Sequence, residues 1–178
     1  SLGPEIGVNA LHDFMKPFSF GQVTGIDLDG ERAGVLPSTD WKRRAYRTRE
    51  NQQWYAGETI SVAVGQGYNS FTLLQLAQAT STLANDGAYR KPHLVHAVQE
   101  ADKPRTENEV VAPGYTIPLR KSNVDIVKNA MADVVRVGTA RRAFAGAPYQ
   151  AAGKTGTAQV YSLRGAKYRA DQIDERLR

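Results

Sequence analysis

Ala151-Ala152-Gly153-Lys154-Thr155-Gly156-Thr157-Ala158-Gln159-Val160 sets one lysine, two threonine hydroxyls and two glycines among small, strand-compatible residues. Such a segment lays an ammonium and backbone N–H groups against an anionic or carbonyl-bearing ligand. Gly156 removes the side chain that would hold that ligand away from the main chain. Gly153-Lys154-Thr155 looks like the last three residues of a P-loop. That motif needs glycine five positions before Gly153, where Pro148 stands. It also needs a helix directly after the lysine, and Thr157-Ala-Gln-Val-Tyr continues with β-compatible residues instead. The P-loop reading fails, and the stretch is expected to be a strand.

Upstream of it, Ser122-Asn-Val-Asp125 reads as the start of a helix with Ser122 as N-cap and Asp125 at its positive end. Val124, Val127, Ala130, Met131, Val134 and Val135 form its expected buried stripe, and Gly138 ends it. Thr72-Leu-Leu-Gln75 is a capping box opening a second helix, with Leu73, Leu76, Ala77, Thr80, Leu83 and Ala84 on one face and Gly87 as the stop. Ahead of that helix, Thr59–Val64 is β-rich and reads as a strand leading into Gly65-x-Gly67. A dinucleotide fingerprint would need a third glycine where Ser70 stands and a second βαβ unit, and neither is found, so Asp86 gains no ribose role.

Ile6–Met15 has helical spacing and stops before Pro17. Asp27, Asp29 and Glu31 sit in a glycine-rich loop, but Arg32 occupies the position where a calcium loop needs glycine. Trp41–Arg49 interleaves basic and aromatic residues without any recognisable nucleic-acid module around it, so it reads as a solvated short helix. His93 and His96 lie three apart in an extended stretch, on opposite faces and poorly placed for a shared metal. Gln99–Tyr115, polar with two prolines, reads as an exposed excursion.

The whole chain is 178 residues, 41% hydrophobic and 23% charged, which suits a globular domain with a real core. A net charge of +5 favours anionic partners without choosing among them. With no cysteine, disulfides and thiolate metal sites are excluded. No apolar run approaches the roughly 18 residues needed to cross a bilayer.

One template remains for Lys154-Thr155-Gly156: the Lys-Thr-Gly box of penicillin-recognising serine acyl-transferases. Alone it is weak, since three common residue types in a row arise by composition. The surrounding segments add specificity. Phe20-Gly-Gln-Val-Thr-Gly-Ile-Asp-Leu, Trp54-Tyr-Ala-Gly-Glu-Thr-Ile, Val64-Gly-Gln-Gly-Tyr, Leu83-Ala-Asn-Asp-Gly, Gly138-Thr-Ala and Ala147-Pro-Tyr-Gln-Ala-Ala-Gly-Lys-Thr-Gly-Thr-Ala-Gln-Val all follow in family order. Together the chain resembles class B penicillin-binding proteins, the monofunctional D,D-transpeptidases. Ile173-Asp-Glu-Arg-Leu-Arg is similar to the rod-elongation branch rather than the division branch.

The resemblance implies an α/β (α+β) serine-transferase fold, with an antiparallel sheet flanked by helices plus a helical lobe. It implies that Lys154 orients the substrate carboxylate and that Thr155 hydrogen-bonds the terminal carboxylate of a D-Ala-D-Ala stem peptide or of a β-lactam. Gly156 would permit close approach, and the Thr157 backbone N–H would be half of an oxyanion hole. No metal or organic cofactor is implied. The implied partners are peptidoglycan stem peptides, β-lactams and elongation-complex membrane proteins, on the periplasmic face of a Gram-negative inner membrane, with no nucleic acid.

The family's nucleophile lies in Ser-x-x-Lys, and no serine of this chain has lysine three residues on. The second motif, Ser-x-Asn/Asp, is also taken as absent here. Residues 1–178 thus read as an interior part of a transpeptidase domain that carries the Lys-Thr-Gly box, predicted inactive alone for want of a Ser/Lys pair. A non-catalytic wall- or complex-binding module and, more remotely, a nucleotide-binding domain are the alternatives.

Overall fold

The computed structural model describes residues 2–107 and 114–157. Helices α1 (Gly3–Ile6) and α2 (Val8–Met15) are split by Gly7 at φ +80°, so the helix expected over Ile6–Met15 begins at Val8. A 3-10 turn, Lys16–Phe18, follows. Pro17 is tolerated there because the first helical turn leaves its N–H positions unpaired anyway.

Next come α3 (Thr39–Ala45), α4 (Arg49–Gln52), α5 (Ala56–Ala63) and α6 (Leu73–Ala84). Helix α5 overturns the strand expected at Thr59–Val64. Its β-branched residues favour a strand only weakly, and local contacts outweigh them. The Glu58 carboxylate accepts the Tyr55 N–H at 2.9 Å, Trp54 Nε1 donates to Thr59 Oγ1 at 2.9 Å, and Gly65 at φ +81° provides the exit.

The capping box predicted for α6 is present: Thr72 Oγ1 accepts the Gln75 N–H at 3.1 Å, and Gln75 Oε1 accepts the Thr72 N–H at 3.0 Å. The buried face is the other one, however. Gln75 and Thr82 are wholly buried and Gln78 nearly so, whereas Leu73 is 84% exposed and Leu76 45%. The reason is that Gln75 has a second task. Its Nε2 donates to the carbonyls of Gln22 at 2.6 Å and Ala33 at 2.7 Å, pinning both ends of the Phe20–Gly34 loop onto the helix. Gly34 makes this approach possible. It sits at φ +62°, and a Cβ there would lie 2.3 Å from the Ser70 carbonyl oxygen.

Beyond α6 the strands are short and antiparallel. Strand β1 (Ala88–Tyr89) pairs with β4 (Tyr115–Thr116), and β2 (Ala97–Val98) pairs with β3 (Thr106–Glu107). Tyr89 and Tyr115 stack face to face across β1 and β4, with centroids 4.6 Å apart, and Tyr89 donates to the Thr24 carbonyl at 3.1 Å. The polar excursion is therefore two strand-bearing returns, and its residues 108–113 lie outside the described ones.

Helix α7 (Lys121–Arg136) starts two residues before the point set by the expected Ser122 cap. Arg120 is its N-cap and makes no side-chain cap bond, so Ser122 is not the cap. Of the expected apolar stripe only Val124 is buried, while Val127 is 43% exposed. Lys128 Nζ ties α7 to the end of α6 through the Ala84 carbonyl at 2.8 Å and Asp86 at 3.0 Å. Between α2, the 3-10 turn, α6 and α7 runs an apolar groove of about 580 Å³, whose lining includes Phe14, Phe18, Leu83, Val124 and Val127. The buried apolar core itself is small: Val8, Phe18, Leu36, Val62, Tyr89, Ile117 and Val124. Among the described residues no helix is long and apolar enough to cross a membrane.

Candidate functional site

Residues 151–157 belong to no helix and no strand, which corrects the expectation of a sheet strand at Lys154 among the described residues. The anchor is a main-chain bond: the Gly153 N–H donates to the Met131 carbonyl of α7 at 3.0 Å. Lys154, Thr155, Gly156 and Thr157 are all exposed and consecutive. Lys154 Nζ donates to the Thr155 carbonyl at 2.5 Å, turning the ammonium along its own backbone. Within the described residues neither the Thr155 hydroxyl nor the Thr157 N–H meets a partner. A Cβ added at Gly156 would touch nothing within 4 Å. The described fold therefore places no demand of its own for glycine at 156. Ala158–Val160, the rest of the opening stretch, lie outside the described residues.

One triplet corrects the sequence reading directly. Ser38-Thr39-Asp40 does have the Ser-x-Asp spacing taken to be absent. Its serine is nonetheless a helix cap: Ser38 is buried and its Oγ accepts the Trp41 N–H at 3.0 Å, while the Asp40 carboxylate pairs with Arg43. That hydroxyl is spent on the start of α3.

The basic–aromatic segment hides a buried, heavily partnered cation. Lys42 is 3% exposed. Its Nζ donates to Glu58 and to the Gln53 carbonyl at 2.7 Å, and it lies 5.1–5.7 Å from the ring centroids of Trp54, Tyr55 and Tyr68. Tyr68 in turn donates its hydroxyl to Glu58 at 2.7 Å. Burial alone would raise the Glu58 carboxyl. Lys42, the Tyr55 N–H and the Tyr68 hydroxyl outweigh it and hold the group below the ordinary carboxylate range. Burial first, and then the hydrogen bond to Glu58, push the Tyr68 phenol well up. This cluster joins the Trp54–Ile60 and Val64–Tyr68 segments into one unit. Trp41 and Tyr46 turn inward against Tyr68, so the rings do not form a stacking platform for bases.

The acidic loop is also spent on structure. Asp27 accepts the N–H groups of Leu94 at 2.6 Å and Val95 at 2.9 Å, and Glu31 accepts those of Thr24 at 2.6 Å and Gly25 at 2.9 Å. Both carboxylates brace turns rather than face a shared cation. His93 Nδ1 lies 3.0 Å from the Val95 carbonyl, a local turn contact.

Sequence reading missed Lys42 because a lysine inside a run of arginines looks like one more solvated charge. The signal available was the position of Trp54, Glu58 and Tyr68 inside the segments that resemble the family.

Comparison with known proteins fits this arrangement. The penicillin binding protein transpeptidase domain matches residues 1–174. The chain is 41% identical over 178 residues to the peptidoglycan D,D-transpeptidase MrdA of Acinetobacter baumannii, an alignment covering 98% of this chain and 25% of that protein. Its fold superimposes on Pseudomonas aeruginosa PBP2 in complex with WCK 5153 with a TM-score of 0.72 at 40% identity, covering 89% of this chain and 35% of the other. It superimposes on Helicobacter pylori PBP2, solved in complex with MreC, with a TM-score of 0.69 at 30% identity, covering 89% and 28% respectively. The chain spans about a quarter of the length of the curated relatives it matches. Its mixed α and β architecture is thus that of the penicillin-binding transpeptidases, and the chain belongs to the penicillin-binding protein transpeptidase domain family.

Proposed function

We propose that this chain is the Lys-Thr-Gly-bearing part of a peptidoglycan D,D-transpeptidase and supplies one wall of its substrate site. The observation that carries the reading is the family match over residues 1–174 combined with an exposed Lys154–Thr157 segment. In the proposed reaction a serine outside this chain attacks the carbonyl carbon of the penultimate D-Ala of a stem peptide. The carbon–nitrogen bond to the terminal D-Ala breaks, and D-Ala leaves with a proton as the free amino acid. An amine of a neighbouring stem peptide then displaces the serine from the ester, restoring its hydroxyl and forming the cross-link. A β-lactam enters the same first step, with its ring amide in place of the D-Ala-D-Ala bond.

Each residue has a distinct task in this reading. Lys154 supplies positive potential at the terminal carboxylate, and Thr155 donates its hydroxyl to it. The Thr157 N–H points donor density at the developing oxyanion. The open space at Gly156 fits a ligand lying flat against the main chain. Residues 1–178 form, in this proposal, the later helical lobe and the Lys154 segment of a longer transpeptidase domain, facing the periplasm of a Gram-negative cell. The partners proposed are stem peptides, β-lactams and, because H. pylori PBP2 is solved in complex with MreC, an elongation-complex membrane protein.

The test is β-lactam acylation of the whole parent protein carrying Lys154→Ala. Loss of one preorganised electrostatic donor is expected to slow acylation by about 10²–10³-fold. Acylation within twofold of the parent rate would remove Lys154 from the site.

A further inference from the structure

Of the three acids in the Phe20–Gly34 loop, Asp27 and Glu31 brace turns and Asp29 does not. Among the described residues its carboxylate accepts no hydrogen bond and pairs with no cation. It is exposed, it lies between the two braces, and Gly30 follows it. Gly30 is exposed too, and its N–H donates to no described residue. A Cβ at that position would meet nothing within 4 Å. An unpartnered aspartyl side chain beside an unhindered glycine amide has a reaction of its own, because no Cβ crowds the attacking nitrogen. The Gly30 nitrogen attacks the carboxyl carbon of the Asp29 side chain and forms a carbon–nitrogen bond. The nitrogen gives up its proton and the carboxyl its hydroxyl, so water leaves and a five-membered succinimide remains. Water then opens the ring at either carbonyl. Opening at the side-chain carbonyl restores aspartate. Opening at the main-chain carbonyl leaves the chain running through the side chain, as a β-linked isoaspartate.

The sequence holds the same dipeptide once more, Asp86-Gly87, and there the fold restrains both reacting groups. The Gly87 N–H donates to the Thr82 carbonyl at 2.8 Å, and the Asp86 carboxylate lies 3.0 Å from Lys128 Nζ. The Gly87 carbonyl accepts the Ile117 N–H at 2.9 Å, so the turn is held on both sides. A Cβ at Gly87 would lie 2.6 Å from the Ile117 carbonyl oxygen, so neighbouring chain crowds this glycine where Gly30 stands open. Breaking one hydrogen bond and one partly exposed ion pair makes the reactive arrangement at Asp86 about tenfold rarer.

We propose that Asp29-Gly30 is a site of spontaneous aspartate isomerisation in this chain, and that the fold suppresses the same reaction at Asp86-Gly87. The β-linked product carries one more main-chain carbon between Asp27 and Glu31. Those two carboxylates hold the N–H groups of Leu94, Val95, Thr24 and Gly25, so the longer main chain loosens these contacts. The site is a point of chemical ageing in the loop that Gln75 pins to α6.

The experiment incubates the 178-residue chain in heavy-oxygen water and follows each Asp-Gly peptide by mass spectrometry, since every ring opening places a solvent oxygen in the residue. Circular dichroism checks that the chain is folded throughout. In the folded chain Asp29 is expected to take up label about tenfold faster than Asp86. In urea that difference should vanish, because neither site keeps its contacts. In Asp29→Glu, where the larger ring closes less readily, label at position 29 should disappear and uptake at Asp86 should be unchanged. The isomerised chain, separated by chromatography, should exchange the amide hydrogens of Leu94, Val95, Thr24 and Gly25 faster than the parent, with α7 unaltered. Uptake at Asp86 equal to or faster than at Asp29 in the folded chain, or no uptake at Asp29 there, overturns the site. Unchanged exchange at the four amides of the isomerised chain overturns the loosening of the loop.

Discussion

Replacing Lys42 with methionine isolates the interaction on which the Trp54–Tyr68 unit depends. The change keeps much of the apolar stem and deletes the ammonium. It leaves the Glu58 carboxylate, whose side chain is only 20% exposed, beside three aromatic rings with one cation fewer. It also leaves the Gln53 carbonyl without its donor. Removing one partner of a buried pair costs about 3–5 kcal/mol, most of it the penalty of the charge left behind. The aromatic contacts, about 0.5–2 kcal/mol, belong to the same ammonium and are not added on top. With a urea dependence of about 2 kcal/mol per molar, the unfolding midpoint of the chain should fall by about 1.5–2.5 M. Unfolding followed by circular dichroism and by Trp fluorescence reads it, Trp54 being in the cluster. The double variant Lys42→Met/Glu58→Gln should recover at least half of the loss, because no uncompensated charge remains. A midpoint shift below about 0.5 M, or a double variant whose loss equals the sum of the two singles, would refute the buried-pair argument.

Two further outcomes follow from the same contacts. The Glu58 group is held below its ordinary value near 4.5, so its contribution is complete above that value and is lost as pH falls through the lowered folded value. Thermal stability of the parent chain should therefore decline on acidification below about pH 4.5, and the decline should flatten in Lys42→Met. Gln75→Leu removes the donor shared by the Gln22 and Ala33 carbonyls, and the Thr72 N–H loses its acceptor. At about 0.5–1.5 kcal/mol for each of the three lost hydrogen bonds, the expected loss is about 1.5–4.5 kcal/mol. Hydrogen exchange should show the Phe20–Gly34 loop losing protection before α7 does.

The parts of this fold legible in the sequence were those decided within one turn of chain. The Thr72–Gln75 capping box is such a case, because both of its bonds span three residues. The Thr59–Val64 segment was misread because its β-branched composition outweighed the short-range signals around it, the Glu58 carboxylate on the Tyr55 N–H and the Trp54 bond to Thr59, which hold it as α5. The face of α6 was inverted for a related reason. Periodicity finds the apolar stripe, but Gln75 is buried by a loop more than 40 residues earlier in the chain. Ser38-Thr39-Asp40 shows the limit in the other direction: its spacing is that of a catalytic motif, and only the Trp41 N–H on its hydroxyl shows it to be a cap. Lys154–Thr157 was singled out because its order among the flanking segments is specific.

The central claim is that Lys154–Thr157 is a substrate wall without an attacking residue of its own. Intact-mass measurement after exposure to a labelled penicillin tests it most directly, comparing the 178-residue chain with one extended upstream to include a Ser-x-x-Lys motif. The account predicts a single covalent adduct on a serine of the upstream segment in the longer chain and no mass change in the 178-residue chain. A stable adduct on any residue of the shorter chain would contradict it.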